Sequence, residues 1–154
     1  MKVVRKRNPS FATNLAKASP KLCAGIFANA TRDVDDGQLQ NSVKVAPYAA
    51  VQEFGSIHVP PRPFLRTTKQ EKQGEWAKVL SERIRARNGD LRKAMNDMLS
   101  LVRGDIVMTV RHHTWQPLKP ATIRAKERKG RPEPNKPLID TASLIKSISA
   151  EVRG

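Results

Sequence analysis

Residues 90–110 read DLRKAMNDMLSLVRGDIVMTV, and the spacing of their apolar side chains decides the fold class. Leu91, Ala94, Met95, Met98, Leu99, Val102, Ile106 and Val110 recur at the three- and four-residue intervals that gather side chains on one face of an α-helix. Asp90, after Asn88 and Gly89, suits the N-cap, where a carboxylate accepts from a free first-turn N–H. Gly104 inside the helix costs about 1 kcal/mol relative to alanine, and marks a kink or a close approach of another backbone. A long apolar stripe needs a surface to cover it, so the rest of the chain is read for sheet faces and partner helices.

Upstream, Trp76, Val79, Leu80 and Ile84 fall at helical spacing and predict an amphipathic helix. Before it, HVPPRPFLR (58–66) carries three prolines within four positions, which removes backbone donors and favours an extended strap. Pro47 opens and Gly55 closes a short helix, with Tyr48, Val51 and Phe54 on one face. Still earlier, Leu22, Ala24, Ile26, Ala28 and Ala30 are apolar at every second position, as on a strand with one buried face. A turn is expected at Asp33–Gly37. Leu39, Val43 and Val45, alternating with Gln38, Gln40, Ser42 and Lys44, then return antiparallel as the second strand of a hairpin.

Downstream, Pro120 starts a brief helix through Lys129, Gly130 follows, and RPEPNKP (131–137) reads as a polar, proline-rich loop. Asp140 or Thr141 caps a last short helix carrying Leu144 and Ile145. Ile148, Ala150 and Val152 alternate as a closing strand paired into the sheet. The expected architecture is α+β: a small, mostly antiparallel sheet packed against a long α-helix, with an extended N-terminal arm and Pro-rich loops. Residues 1–20 are read as a basic arm and 21–154 as a single domain with a flexible loop near 128–137, in keeping with a length of 154 residues.

The formal charge of +15 predicts attraction to nucleic acid, acidic proteins or anionic surfaces without choosing among them. The cations cluster in the arm (Lys2, Arg5, Lys6, Arg7), at Arg83, Arg85 and Arg87, and from Lys119 to Arg131, where Arg124, Lys126, Arg128, Lys129 and Arg131 are candidate contacts to DNA or an acidic partner, as are those of the arm. Three separate clusters argue against one groove. With only four Phe, two Trp and one Tyr, stacking platforms for single-stranded nucleic acid are missing. Nonspecific contact with duplex DNA and contact with an acidic protein ring both stay open.

No apolar run approaches the roughly 20 residues that cross a bilayer, and MKVVRKRNPS lacks a secretory apolar segment, so a soluble protein without membrane partners is expected. Cys23 has no second thiol to pair with, and a buried structural cysteine is expected. His112 and His113 beside Trp115, with His58 in the strap, lack the spacing and acidic or thiol neighbours of a metal or acid–base site. Asp33, Asp35 and Asp36 read as a solvated hairpin end rather than a cation site. No nucleophile elbow, phosphate-cradling glycine loop or C-x-x-C pair appears. The expectation is a protein that is not an enzyme and holds no cofactor or metal.

Two stretches go beyond composition: PYAAVQEFGSIHVPPRPFLR (47–66) and WQPLKPATIRAKERKGRPEPNKPLIDTASLIKSI (115–148). In this order they resemble the neck, tail-completion and virion-morphogenesis proteins of tailed bacteriophages. The resemblance is carried by Tyr48, Ala49, Glu53, Phe54, Gly55, Arg62, Pro63 and Phe64, and then by Pro117, Leu118, Thr122, Ile123, Lys126, Pro137, Leu138, Ile139, Asp140, Thr141, Leu144, Ser147 and Ile148. Ala142 stands where the family commonly has glycine, which a first helical turn would tolerate.

The resemblance implies a non-catalytic structural protein of the virion neck, assembled in the bacterial host cytoplasm. It implies a homo-oligomeric ring, with sixfold symmetry as the expected copy number. The implied partners are the head connector or stopper ring and the tail terminator or tail tube, with nonspecific contact to genomic DNA. A tail terminator capping the tube is the nearest alternative, and a basic nucleic-acid-binding protein is the alternative from another class. Arg62, Phe64, Arg66 and Trp115 are the candidate subunit or partner contacts, since buried aromatics and arginines anchor interfaces as well as cores.

Overall fold

A computed structural model describes residues 19–32 and 43–154, together with Ser10 and Thr13. The expected basic arm, apart from those few residues, and the expected Asp33–Gly37 turn lie outside the described residues.

The fold is α+β. In chain order it runs β1 (Lys21–Ile26), β2 (Thr31–Arg32), β3 (Val43–Lys44), α1 (Val45–Phe54), α2 (Phe64–Ala86), α3 (Leu91–Asn96), α4 (Leu99–His112), α5 (Pro120–Arg128), α6 (Ser143–Ser147) and β4 (Ile148–Arg153). β1 and β4 pair antiparallel with Lys21 opposite Arg153 and Ile26 opposite Ile148. Helix α4 lies across this ribbon and α2 packs along α4 and α3. Between them Met98, Val102, Ile106 and Val110 meet Phe64, Leu144, Ile145 and Ile148 in one buried cluster that also takes Val45, Leu138 and Ile139. Each such side chain contributes about 1.5–3 kcal/mol of burial, so this cluster is the main source of cohesion. Polar bonds at its edge fix how the layers sit: Trp76 Nε1 donates to Asp105 Oδ2 at 2.7 Å, tying α2 to α4, and Arg103 Nε donates to the Ile148 carbonyl at 2.8 Å, tying α4 to β4.

The structure departs from the sequence reading in several places, each with a physical reason. The helix expected over 90–110 is two helices, α3 and α4, interrupted at Asp97–Met98. There Asp97 takes a two-point ion pair from Arg87 instead, Nε to Oδ2 at 2.8 Å and Nη2 to Oδ1 at 2.9 Å. The apolar stripe nonetheless runs through the break, because Met98 and Val102 are both buried. Asp90 is the N-cap, accepting the Lys93 N–H at 3.0 Å. Gly104 sits within the unbroken α4, and a Cβ there would have no neighbour within 4 Å, so it marks neither a kink nor a close approach.

The partner of β1 is β4, not the 39–45 segment. A turn in which Ala30 N–H bonds the Phe27 carbonyl ends the first strand early, and among the described residues the 43–45 segment pairs instead with β2, Thr31 opposite Lys44 and Arg32 opposite Val43. Cys23, expected to be buried, is only half-buried, opposite Glu151. Ala142 precedes α6 with φ of 59°, in the left-handed region, rather than in a helical turn. Alanine therefore pays there the steric cost that glycine avoids.

Candidate functional site

The strap and the helices around it form the part of the molecule where buried polar groups concentrate. The spacing places Tyr48, Val51 and Phe54 on one face of helix α1; Val51 and Phe54 are exposed there, and the polar Gln52 and Glu53 are buried. Their partners explain the inversion. Glu53 Oε2 accepts the Leu65 N–H at 2.9 Å and Oε1 accepts the Arg66 N–H at 3.1 Å. These are donors of the first turn of α2, which its own N-cap residue, Pro63, does not satisfy. A carboxylate from a neighbouring helix thus serves as the cap of α2, and it lies where the helix dipole favours a negative charge. This is why α2 begins at Phe64, well before the periodic segment from Trp76. Arg66 completes the arrangement, with Nε 3.1 Å from Glu53 Oε1 and Nη2 2.8 Å from the Glu53 carbonyl.

Gly55 lets the chain leave α1 at the required angle. Its φ is 82°, and an added Cβ would lie 3.1 Å from both Cδ and N of Pro61. The strap that follows delivers Arg62 into the interior, where it is 4% exposed. Its Nε and Nη2 both donate to the Gln116 carbonyl, at 3.2 and 3.1 Å, and its Nη1 donates to Gln52 Oε1 at 3.3 Å. Among the described residues every acceptor is neutral. Burial pushes this guanidinium below the usual arginine range, with the Tyr48 phenol acting the other way.

Across from it, Lys126 of α5 is buried as well. Its ammonium donates to the carbonyls of Glu133, Lys136 and Ile139, at 3.3, 2.8 and 2.5 Å. Three donors meet three acceptors, so the Pro-rich segment is tied to α5 by one side chain. Burial lowers the Lys126 pKa, with Asp140 and Glu133 opposing and Arg131 adding.

Between these two cations lies a cavity of about 630 Å³ walled by the strap, the start of α5 and residues 136–140. Lys119, Lys129 and Lys136 line it, and Asp140 is its only carboxylate among the described residues. Ile57, Val59, Pro60, Leu118 and Leu138 supply apolar wall.

The residues singled out from sequence take different places. Phe64 is fully buried in the core, which leaves it no surface for a neighbouring subunit; its ring is needed to seal α2 against α4. Arg62 is likewise committed to contacts within the chain. Trp115 is half-buried, its Nε1 donating to the Val110 carbonyl at 3.3 Å and its ring 4.5 Å from that of His113. Arg66 is exposed, with its guanidinium 5.1 Å from the centre of the Phe54 ring.

Lys126 is not a surface contact for DNA, because it is buried and its three donors are taken by carbonyls. Arg124, Arg128 and Lys129 are exposed, whereas Arg131 Nε lies 3.1 Å from Asp140 Oδ1 in an ion pair off hydrogen-bonding geometry. Lys2, Arg5, Lys6 and Arg7 lie outside the described residues. Sequence reasoning missed Lys119, Lys136, Gln52 and Ile57 as members of one cavity; only the folded chain brings 52–62 against 116–140. Among the described residues no three His, Cys, Asp or Glu come together as metal ligands, and no helix is long and apolar enough to cross a membrane. His113 Nδ1 is 3.6 Å from Glu71, His112 is exposed, and His58, also exposed, lines the cavity.

Comparison with protein-family models, with curated proteins and with solved structures finds no match in any of the three.

Proposed function

We propose that the chain is a structural, non-enzymatic subunit of a tailed-phage virion, working in a homo-oligomeric ring in the neck that joins the head connector to the tail. The observation that carries this reading is that the two stretches resembling neck and tail-completion proteins form one unit. They are far apart in sequence, yet Arg62 of the first is locked onto the Gln116 carbonyl of the second, and both wall the same cavity. The motif residues Glu53, Gly55, Arg62, Phe64 and Lys126 have concrete tasks in building that unit, so the resemblance rests on residues that act together.

The surface offers contact points suited to assembly. Phe54 is 68% exposed and Ile57 94%, three residues apart at the exit of α1, and Met108 is exposed on α4. Large apolar side chains left in water favour burial against another subunit, and head-to-tail contacts of this kind close into rings. Phe54 and Ile57 take the interface role that the sequence suggested for Phe64. Sixfold symmetry and the choice between neck and tail-terminator placement follow the resemblance.

Cryo-electron microscopy of source virions, with mass spectrometry to identify the chain in them, tests this. Density for a ring of it at the head–tail junction is the expected result; its absence from purified particles overturns the reading. The charge of +15 favours a second reading, a nucleic-acid-binding protein. That reading requires duplex binding which falls steeply with added salt and whose salt slope decreases when Lys2–Arg7 are removed.

A further inference from the structure

We infer that the Arg62 cavity is a receptor for an extended acidic peptide segment of a partner protein, with an aspartate or glutamate carboxylate seated among the cavity's cations and apolar neighbours against its walls. The inference stands on the cavity alone and does not depend on the virion reading.

Three observations point to it. First, Arg62 is a buried cation whose acceptors, the Gln116 carbonyl and the Gln52 amide oxygen, carry no charge. A buried charge without a counter-charge is costly, and a carboxylate entering the cavity would relieve that cost. Second, the described lining is predominantly cationic. Arg62, Lys119, Lys126, Lys129 and Lys136 face a single acid, Asp140, which Arg131 already holds. Lys119 and Lys129 are exposed at the rim and form no ion pair among the described residues, while Lys136 is shared with Glu133 at 2.7 Å. A field of this shape draws an anion inward.

Third, the walls select among anions. Ile57, Val59, Pro60, Leu118 and Leu138 form apolar surface beside the cations, and Ile57 at the mouth is almost wholly exposed. A recess of about 630 Å³ accommodates a few residues of extended chain. A duplex backbone instead needs a long open track of phosphate contacts and gains nothing from leucine and proline walls.

The test is selection from a displayed library of random twelve-residue peptides on the full-length protein, followed by fluorescence anisotropy with the enriched peptide. The variants are Arg62→Met, the rim pair Lys119→Ser/Lys129→Ser, and the distant pair Lys78→Ser/Lys146→Ser. The two pairs remove equal charge from exposed positions, so they separate the cavity from the general field even if Arg62→Met does not fold. The expected result is enrichment of Asp or Glu beside apolar residues, with binding weakened about tenfold by the rim pair and hardly changed by the distant pair. Replacing the peptide's acids with their amides should abolish binding. The proposal is overturned by absence of acidic enrichment, or by equal losses from the two pairs. It is also overturned if a duplex of about 20 base pairs, and no acidic peptide, depends on the rim lysines.

Discussion

Replacing Glu53 by alanine tests the central device of the fold, a helix capped from outside its own chain segment. The substitution removes the acceptor of two first-turn donors of α2, Leu65 N–H and Arg66 N–H, together with the Arg66 Nε contact. A hydrogen bond to a charged group contributes roughly 1.5–3 kcal/mol, and loss of an N-cap acceptor costs about 0.5–2 kcal/mol. The Arg66 side chain is 61% exposed, so its ion pair adds at most about 1 kcal/mol. Water can reach the partly buried amides once the carboxylate is gone, so the three contributions do not simply add. The expected loss is about 2–4 kcal/mol, a large share of the roughly 5–15 kcal/mol that holds a domain folded. Glu53→Gln keeps one acceptor oxygen and the volume and should lose about half as much. Urea unfolding followed by circular dichroism measures this as a fall in midpoint at unchanged slope, and hydrogen exchange should show the Leu65 and Arg66 amides losing protection first. A loss for Glu53→Ala below about 0.5 kcal/mol, the range of an ordinary surface substitution, would refute the capping argument.

Further outcomes follow from other residues. Lys126→Met removes the side-chain donor of the Lys136 and Ile139 carbonyls and leaves the Glu133 carbonyl with the Lys136 N–H at 3.2 Å; thermal unfolding should register a loss of about 2 kcal/mol and hydrogen exchange should accelerate across 131–140. Ala142→Gly relieves a left-handed alanine at φ 59°. The gain exceeds the entropy that glycine adds to the unfolded chain, and a net stabilisation of about 0.5–1 kcal/mol is expected in the same assay.

Acid should weaken the fold. Asp90 is held below the usual carboxylate range by the Lys93 backbone N–H, Asp97 by its hydrogen bonds from Arg87, and Glu133 by its hydrogen bond from Lys136. Because their folded pKa values are depressed, their contribution is full above the unfolded value and is lost as pH falls below about 4. Asp97→Asn should make the urea midpoint less sensitive to pH in that range, and an unchanged acid slope would contradict the assignment.

The elements legible in the sequence are those whose signal is local. The apolar stripe from Leu91 to Val110 named the core face, and the Asp90 cap was read correctly because a cap acts on amides of its own first turn. The alternation of Ile148, Ala150 and Val152 announced a strand that does pair into the sheet. What escaped was set by distant partners. Nothing in 91–110 reveals that Arg87 captures Asp97 and splits the helix. The burial of Gln52 and Glu53 contradicts their polarity until Arg62 and the start of α2 are in place. Lys126 looked like one cation in a basic run, and only the returning loop shows that it is consumed internally. The cavity was invisible for the same reason: its cations come from the strap, from α5 and from the Pro-rich segment.

The external cap also restricts how this chain can vary in length. Most surface connections accept an inserted or deleted residue at small entropic cost. The connection from Glu53 to Phe64 is a ruler: its proline-stiffened path must return the first turn of α2 to the same carboxylate while seating Arg62 on Gln116. One residue more or less would move the amides away from Glu53 or the guanidinium away from its carbonyl. Length changes should therefore be rare between Glu53 and Phe64 in relatives of this chain, even where side chains in that interval differ, and an affinity tag placed there would disrupt two helices at once.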